Sequence, residues 1–292
     1  MIHQIENELF NIAISAVGAE ISSFKSKKNG IEYMWQAEPS IWGSHAPVLF
    51  PVIGGLRNNK FEYQGQYYHL NRHGFVRRNR NLKVVAHNST NLSLQLRAND
   101  ETKKQYPFAF IFSIHFSLEK NKLIIKHDVE NTDQRDIYFS LGAHPAFNCP
   151  IHKQESYNDY YLEFQETENL RTWNLNELGL IEQEGKTILK QSRILPLNKH
   201  LFDQDALIFK TLKSRKICLC SQKSPQKIII RYADFTSLGI WAKPAAPFIC
   251  IEPWIGYADA ANSNYRIQDK EGIIKLKPHR IFTTSYSIEV QE

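Results

Sequence analysis

The sequence predicts an all-β protein, and three observations support this prediction. Short runs rich in β-branched and aromatic residues recur from end to end, usually bounded by Gly, Pro, Asn or Asp. Aromatic residues make up 12% of the chain, and periodicity of the helical kind is nearly absent. Many short strands separated by turn signals favour a sandwich or a barrel.

The strand pattern is clearest in the stretch "FAFIFSIHFSLEKNKLIIKHDVEN". Turn residues at Glu119 to Asn121 separate two runs, and in the second run Leu123, Ile125, His127 and Val129 alternate with polar or outward positions. This pattern predicts a hairpin. Similar short strands are predicted in "NLSLQLRA", "DIYFSLGA", "YYLEFQE", "KICLCS", "KIIIRYAD", "LGIWAK" and "FICIEPW".

The chain of 292 residues contains no linker, low-complexity tract or repeat of fixed period. Length alone would allow two domains, but large β-sandwiches of this size often form one. We therefore expect a single domain over residues 1–292. The segment from Glu166 to Lys199, which is richer in Asn, Glu and Gln, is expected to be an irregular excursion on the surface.

The net charge of +6 admits an anionic partner, but the basic residues are scattered. The densest group is "NRHGFVRRNR", and no long basic run or basic helix accompanies it. This distribution favours a solvated surface over a nucleic-acid interface. No segment approaches the ~18 apolar residues of a membrane span, so we expect neither nucleic acid nor membrane as a partner.

The four cysteines form no CxxC pair and are too few for a disulfide framework in a chain of this length. They are typical of reduced thiols, and the N-terminus has no basic region followed by a long apolar stretch. We therefore expect a cytoplasmic protein, and a monomer or homodimer.

Three short stretches place a titratable side chain among turn-formers and aromatics: "NRHGFVR" around His73, "LGAHPAFN" around His144 and "FICIEPWIGYAD" around Glu252. Burying an unpaired Glu252 among apolar neighbours would be costly, because desolvation favours the neutral acid. Each residue alone has a structural explanation, such as a hydrogen-bonded histidine or an ion pair of Glu252 with Arg77 or Lys243. Together they could supply a general acid and a general base.

Metal and cofactor signatures are missing from the sequence. Neither His-x-His nor HExxH occurs, and there is no GxSxG, P-loop or GxGxxG motif. We therefore expect no metal and no cofactor.

In this order, "NRHGFVR", "GAHPAFN", "LFDQDALIF" and "FICIEPWIGYAD" resemble the aldose 1-epimerase (galactose mutarotase) family, in particular its LacX-like branch. The resemblance extends over essentially the whole chain. It implies a large antiparallel β-sandwich of the galactose mutarotase supersandwich type, with a sugar-binding cleft. It also implies an enzyme that interconverts the α and β anomers of an aldose.

Under this resemblance Glu252 matches the general base, His144 the general acid, and His73 a histidine that assists at the ring oxygen. Asp205 resembles the acidic residue that binds sugar hydroxyls. Tryptophans are expected around a sugar, because C–H faces pack on aromatic rings. We expect Trp254 in the cleft by its adjacency to Glu252.

One position departs from the family pattern. The family usually has an arginine where "PVIGGLRNNKF" has Gly55, and Arg57 follows two residues later. In an extended strand, residues two apart point to the same face, so Arg57 could serve the same region. Arg77 in "HGFVR" is the alternative basic residue for the cleft.

Three rival functions remain open at this level. Arg72, Arg77, Arg78 or Arg57 could hold the phosphate of a sugar phosphate, which would make the protein a hexose-phosphate mutarotase. A non-catalytic carbohydrate-binding protein would keep the cleft without the chemistry. A glycoside hydrolase would need Glu252 paired with a second carboxylate such as Asp205 or Asp259.

Overall fold

Strands form most of the regular structure in the computed structural model, which describes residues Met1 to Glu292. In chain order the strands are β1 (Ile2–Glu6), β2 (Phe10–Ser15), β3 (Ile21–Ser26), β4 (Val48–Leu49), β5 (Lys60–Tyr63), β6 (Gln66–His69), β7 (Lys83–His87), β8 (Asn91–Arg97), β9 (Phe110–Glu119), β10 (Lys122–Asn131), β11 (Ile137–Phe139), β12 (Leu141–Ala143), β13 (Ala146–Asn148), β14 (Tyr160–Leu175), β15 (Ile181–Pro196), β16 (Leu207–Phe209), β17 (Lys216–Ser221), β18 (Lys227–Arg231), β19 (Ser237–Trp241), β20 (Phe248–Ile255), β21 (Ile274–Leu276) and β22 (Ile281–Gln291). This confirms the all-β prediction.

Helical structure is confined to short pieces. The one α-helix, α1 (Asp100–Gln105), begins at Asn99, whose side chain accepts a hydrogen bond from the Thr102 backbone N–H. The 3-10 helices span Arg57–Asn59, Val76–Arg78, Tyr157–Asp159 and Ile267–Asp269. None of these helices has the length and apolar character needed to cross a membrane.

The predicted hairpin is confirmed as β9 and β10, which pair antiparallel from Lys122 opposite Glu119 to Asn131 opposite Phe110. Leu123, Ile125 and Val129 are fully buried on one face of β10. His127 shares that face and is also fully buried. The alternation of side chains in this strand therefore follows from the period of two in an extended backbone.

Two large antiparallel sheets make up the body of the protein. The first has nine strands in the order β15-β14-β17-β18-β22-β10-β9-β8-β7, and the second has the order β16-β19-β20-β12-β4, with β13 also paired to β20. Smaller sheets are formed by β1-β2-β3, by β5-β6 and by β11-β21.

Aromatic side chains pack between the two large sheets. Phe50, which directly follows β4, lies with its ring centroid 5.4 Å from that of Phe110 and 4.9 Å from that of Phe112 in β9. In β20 of the second sheet, Ile249 and Ile251 belong to the same buried core. The alternate residues Glu252 and Trp254 project from the opposite face, which also carries Phe248 and Cys250 of that core.

The expectation of an irregular excursion from Glu166 to Lys199 was wrong. These residues form most of a long hairpin, β14 and β15, whose register shifts at several points between Glu163 and Leu175. Bulges of this kind bend a hairpin and interrupt its alternation. The buried positions Glu168, Leu170 and Thr172 do alternate, but two of the three are polar, so the pattern did not predict a strand.

Candidate active site

A cavity of about 300 Å³ opens on the face of β20 that carries Glu252 and Trp254. This volume is at the lower end of the usual range for small-molecule sites, roughly 300 to 1,000 Å³. Segments distant in sequence meet at this cavity. Its charged, titratable and tryptophan side chains are Trp42, Arg72, His73, Arg77, His144, Asp205, Trp241, Glu252 and Trp254.

Glu252 is 1% exposed and lies in the middle of β20, opposite Gly239 of β19. Its Oε2 atom is 3.4 Å from Nε2 of His144. Burial raises the pKa of Glu252 well above its ordinary value; Arg72 acts against this shift and Asp205 adds to it. The carboxylate makes no ion pair with Arg77 or Lys243, so it is not half of a structural salt bridge with either.

His144 follows β12 and is held by its backbone N–H, which donates to the carbonyl of Pro47 at 3.0 Å. Its ring stacks on that of Trp42, with centroids 5.0 Å apart and planes inclined by 24°. Burial lowers the pKa of His144 to about 3, and the positive charges of Arg77 and Arg72 lower it further. A low pKa favours the neutral imidazole at physiological pH.

His73 lies in a tight turn that the local sequence explains. Gly74, with φ of +69°, packs against the Phe50 backbone so closely that a Cβ atom would lie 2.1 Å from the Phe50 carbonyl oxygen. Only glycine fits there. The turn presents the ring of His73 to the cavity, with its centroid 5.7 Å from that of His144.

The hydrogen bond of His73 determines its tautomer. Its Nδ1 atom accepts from the backbone N–H of Gly54 at 3.1 Å, while its Nε2 atom lies 3.4 Å from Nε of Arg72. A neutral imidazole has one N–H, and the shorter bond to the fixed backbone assigns that proton to Nε2. Burial lowers the pKa of His73 well below its ordinary value, and the nearby His144, Arg72 and Arg77 add to this effect. His73 therefore offers the cavity a neutral N–H donor.

Asp205 and Arg77 also line the cavity. Asp205 adopts a left-handed backbone conformation, with φ of +74°. Its Oδ1 accepts from the N–H of Ala206 at 2.8 Å, while the carboxylate stays exposed. Burial lowers the pKa of the half-buried Arg77. The two residues thus add one acceptor and one cationic donor to the same cavity.

Arg57 lies outside the cavity, contrary to the expectation from an extended strand. Residues 57–59 form a 3-10 turn, and the guanidinium of Arg57 donates to the carbonyl of Ser263 at 2.7 Å. It also lies over the ring of Tyr265, 4.8 Å from the centroid. The rule that residues two apart share a face applies to extended backbone and not to this turn.

Comparisons with known proteins identify the family of this chain. The family model described as aldose 1-epimerase matches residues 1–266. The chain belongs to the aldose 1-epimerase family. The LacX proteins of Lactococcus lactis subsp. lactis, one encoded on a plasmid and one on the chromosome, are each 33% identical to this family member over 98% of both chains.

Solved structures with the same fold include two from lactobacilli. A galactose mutarotase related enzyme from Lactobacillus acidophilus is 34% identical, with a TM-score of 0.94 over 100% of this chain and 98% of that one. A galactose mutarotase-like protein from Lactobacillus casei is 27% identical, with a TM-score of 0.92 over 100% of both chains. The galactose mutarotase-like β-sandwich predicted from the sequence is thereby confirmed for this aldose 1-epimerase family member.

Two tryptophans of the cavity were not singled out by the sequence. Trp42 stacks on His144, and Trp241 meets the same ring edge-on with centroids 6.0 Å apart. Trp35, by contrast, packs in the core against Phe248 at 5.0 Å. Nothing in the local sequence separates the cavity tryptophans from the core one, because their position depends on loops that meet only in the folded chain.

Arg72 and the tip of the β14–β15 hairpin complete the wall in this member of the family. The sequence indicated Arg72 only as a possible phosphate ligand. In the structure Arg72 lines the cavity, and its charge acts on both His144 and Glu252. Leu175 and Gly179 from the hairpin tip cover one side. The hairpin was not predicted, so neither residue could be placed in advance.

Proposed function

We propose that the protein is a mutarotase that interconverts the α and β anomers of a hexose by general acid–base ring opening and closure. One observation carries this proposal: the buried pair of Glu252 and His144, 3.4 Å apart, faces the neutral N–H of His73 in one cavity. Opening a hemiacetal requires removal of the proton on O1 and delivery of a proton to O5. The three side chains supply an acceptor and donors for these two steps.

The reaction uses a proton that Glu252 and His144 share. The raised pKa of Glu252 and the lowered pKa of His144 place this proton on Glu252 first. Once the proton has moved to His144, the carboxylate of Glu252 is the base for the O1 hydroxyl, and its raised pKa makes it a stronger base. The low pKa of His144 makes its protonated form a strong acid for O5. As the C1–O5 bond breaks, O1 loses its proton to Glu252 and O5 gains one.

The open-chain aldehyde then rotates about its C1–C2 bond and closes on the other face of C1. Closure reverses the transfers, since O1 takes the proton back from Glu252 and O5 returns its proton to the imidazole. His73 donates from Nε2 and stabilises negative charge on O5 during both steps. The rings of Trp42, Trp241 and Trp254 offer apolar faces for sugar C–H groups.

The test follows the equilibration of freshly dissolved α-galactose and α-glucose by polarimetry, with wild-type protein beside Glu252→Gln. Glutamine keeps the shape but cannot accept the O1 proton, so kcat/KM should fall by about 10² to 10⁴. Acceleration that persists in Glu252→Gln would refute the role of Glu252. Sugar binding without any acceleration by the wild type would instead favour a non-catalytic carbohydrate-binding protein.

A hexose phosphate is the second candidate substrate, and two arginines favour it. Arg72 and Arg77 both line the cavity, and neither forms an ion pair with a carboxylate in the structure. Two unpaired guanidinium groups can hold a phosphate by charge-assisted hydrogen bonds. Equilibration of α-glucose 6-phosphate beside α-glucose should then show a KM preference for the phosphate ester that weakens more than tenfold in Arg72→Gln or Arg77→Gln.

Arg57→Gln is the matched control, because Arg57 lies outside the cavity and binds Ser263. It should leave the ratio of the two KM values unchanged. Equal KM values for the free and phosphorylated sugars in the wild type would rule out the phosphate as a specific ligand.

Release of reducing sugar from a glycoside would instead indicate a glycoside hydrolase. Asp259 is a poor candidate for the second carboxylate of a hydrolase, because its Oδ1 forms an ion pair with Nζ of Lys270 at 3.2 Å.

A further inference from the structure

A buried thiol lies beside the Glu252–His144 pair and takes no part in the proposed reaction. Cys250 is two residues before Glu252 in β20, so both side chains project from the same face of the strand. It is fully buried. One ligand atom from each of His144, Cys250 and Glu252 lies within 4.8 Å of the others.

One buried polar atom at this cluster has no hydrogen bond. Oε2 of Glu252 is buried and unpaired, although Nε2 of His144 lies 3.4 Å away. Buried side-chain polar atoms are normally paired, and an unpaired one costs about 1 to 3 kcal/mol. Oε2 of Glu252 therefore presents an electron pair to a ligand that is not part of the polypeptide.

The spacing of His144 and Glu252 suits a tetrahedral metal ion. Ligand N and O atoms at about 2.0 to 2.1 Å from zinc are roughly 3.3 to 3.4 Å apart in a tetrahedron. The observed distance from Nε2 of His144 to Oε2 of Glu252 is 3.4 Å. Cys250 offers its sulfur within 4.8 Å of a ligand atom of each of these residues. Its thiolate, at about 2.3 Å from the metal, would be the third protein ligand, and the remaining position would face the cavity that His144 and Glu252 line.

We propose that His144, Cys250 and Glu252 form a binding site for a zinc-like divalent ion, and that this ion inhibits the protein by occupying its proton-transfer groups. Imidazole and thiolate favour zinc, cobalt and cadmium over magnesium and calcium. On binding, the ion takes an electron pair from each ligand, Cys250 releases its thiol proton, and the Glu252–His144 pair releases the proton that it shares. Neither His144 nor Glu252 can then exchange a proton with a sugar. Only the inhibition rests on the proposed function; the binding does not.

Cobalt is the probe for binding, because Co²⁺ held by a thiolate gives a near-ultraviolet charge-transfer band. We expect this band, with the visible bands of tetrahedral Co²⁺, on titration of the wild type with Co²⁺, and its loss on addition of EDTA. Cys250→Ser should lose the charge-transfer band. Cys149→Ser is the matched control, since Cys149 is an equally buried thiol outside the cluster, and it should keep the band.

Two results would overturn the site: no charge-transfer band in the wild type, or the same band in Cys250→Ser. Cys250→Ala serves as a second variant, and the unfolding temperature of each variant shows whether it is folded. The same titration with Mg²⁺ in competition should leave the cobalt bands unchanged.

Inhibition is measured separately as the ratio of sugar equilibration rates with and without Zn²⁺ for each variant. Zn²⁺ should slow the wild type, EDTA should restore its rate, and Cys250→Ser should need at least tenfold more Zn²⁺ for half inhibition. A wild type that accelerates equilibration and resists Zn²⁺ would overturn the inhibition. A protein that shows the cobalt band through Cys250 but never accelerates equilibration would refute the proposed function and leave the metal site standing.

Discussion

Gly239 lies directly against the indole of Trp254: a Cβ atom at residue 239 would be 2.4 Å from Cη2 and Cζ2 of that ring. The absence of a side chain in β19 therefore makes room for a cavity-lining tryptophan in β20. Gly239→Ala should push the indole into the cavity. We expect a loss of roughly 1 to 3 kcal/mol in the free energy of unfolding and a raised KM for sugar, measured by denaturant unfolding and polarimetry.

Gly43→Ala is the matched control for this substitution. A Cβ atom at residue 43 would meet nothing nearer than Cα of Pro39, at 3.9 Å. This variant should unfold like the wild type. Equal stabilities of Gly239→Ala and Gly43→Ala would show that Trp254 has room to move and would contradict the packing argument.

The neutral N–H donor of His73 gives a second prediction. Asparagine tolerates the left-handed backbone of residue 73, where φ is +67°, but it lacks the imidazole Nε2. His73→Asn should reduce kcat/KM for sugar equilibration by about 10², as for loss of one charge-stabilising donor. Its unfolding midpoint should stay close to that of the wild type. An unchanged kcat/KM would exclude His73 from the transition state.

The buried ion pair of Lys270 and Asp259 gives a prediction about stability. Nζ of Lys270 is 3.2 Å from Oδ1 of Asp259, and both side chains are at most 5% exposed. Removing one partner leaves an unpaired buried charge, so Lys270→Met should cost about 3 to 5 kcal/mol. The measurement is the free energy of unfolding in urea at neutral pH.

Lys275→Met provides the comparison, because it removes an exposed pair with Asp136 at 2.8 Å. Exposed pairs contribute about 0 to 1 kcal/mol, so this variant should lose little. Similar losses in both lysine variants would mean that burial does not decide the strength of these pairs.

His127 gives a prediction about pH. Burial lowers its pKa from 6.5 to about 3, with a smaller opposing effect of Asp128 and a supporting one of His115. Below pH 6.5 the imidazole of His127 binds a proton in the unfolded chain but stays neutral in the folded chain. The folded state therefore loses stability as pH falls from about 6.5 towards 3, by about 2 kcal/mol for His127 alone at pH 5.

Replacing His127 with methionine, a flexible apolar residue that fills irregular core space, should flatten this pH dependence. His73 and His144 also have lowered pKa values, so the stability of His127→Met should still fall with decreasing pH, but less steeply. His200→Met, at an exposed histidine, should retain the full slope of the wild type. If His127→Met also retains it, the buried imidazole does not contribute to acid destabilisation.

Local pattern was enough to predict many of the strands in the two large sheets. In β10 the alternation of Leu123, Ile125 and Val129 against polar neighbours follows directly from the period of an extended chain. The hairpin of β14 and β15 escaped prediction because bulges break its alternation and because Glu168 is buried. That carboxylate accepts hydrogen bonds from the backbone N–H groups of Lys213 and Ser214, at 3.0 and 2.7 Å, and neither contact can be read from neighbouring residues.

The residues of the candidate site were also predicted from the sequence only in part. Short motifs pointed to Glu252, His144 and His73, since a titratable side chain among turn-formers and aromatics is visible locally, and the structure brings all three to one cavity. The prediction that Arg57 lies in the cleft was wrong, because the direction of its side chain depends on a 3-10 turn and on a hydrogen bond to the carbonyl of Ser263.

The sequence by itself determined that this chain forms antiparallel sheets and that it belongs with the aldose 1-epimerases, because strand period and short motifs are properties of neighbouring residues. Only the tertiary structure decided which tryptophans meet His144, which arginines face the cavity, and that Cys250 lies within 4.8 Å of the Glu252–His144 pair. The reason is physical. Burial, pKa and contact distance depend on what segments distant in sequence place around a side chain, and those segments meet only when the sheets pack.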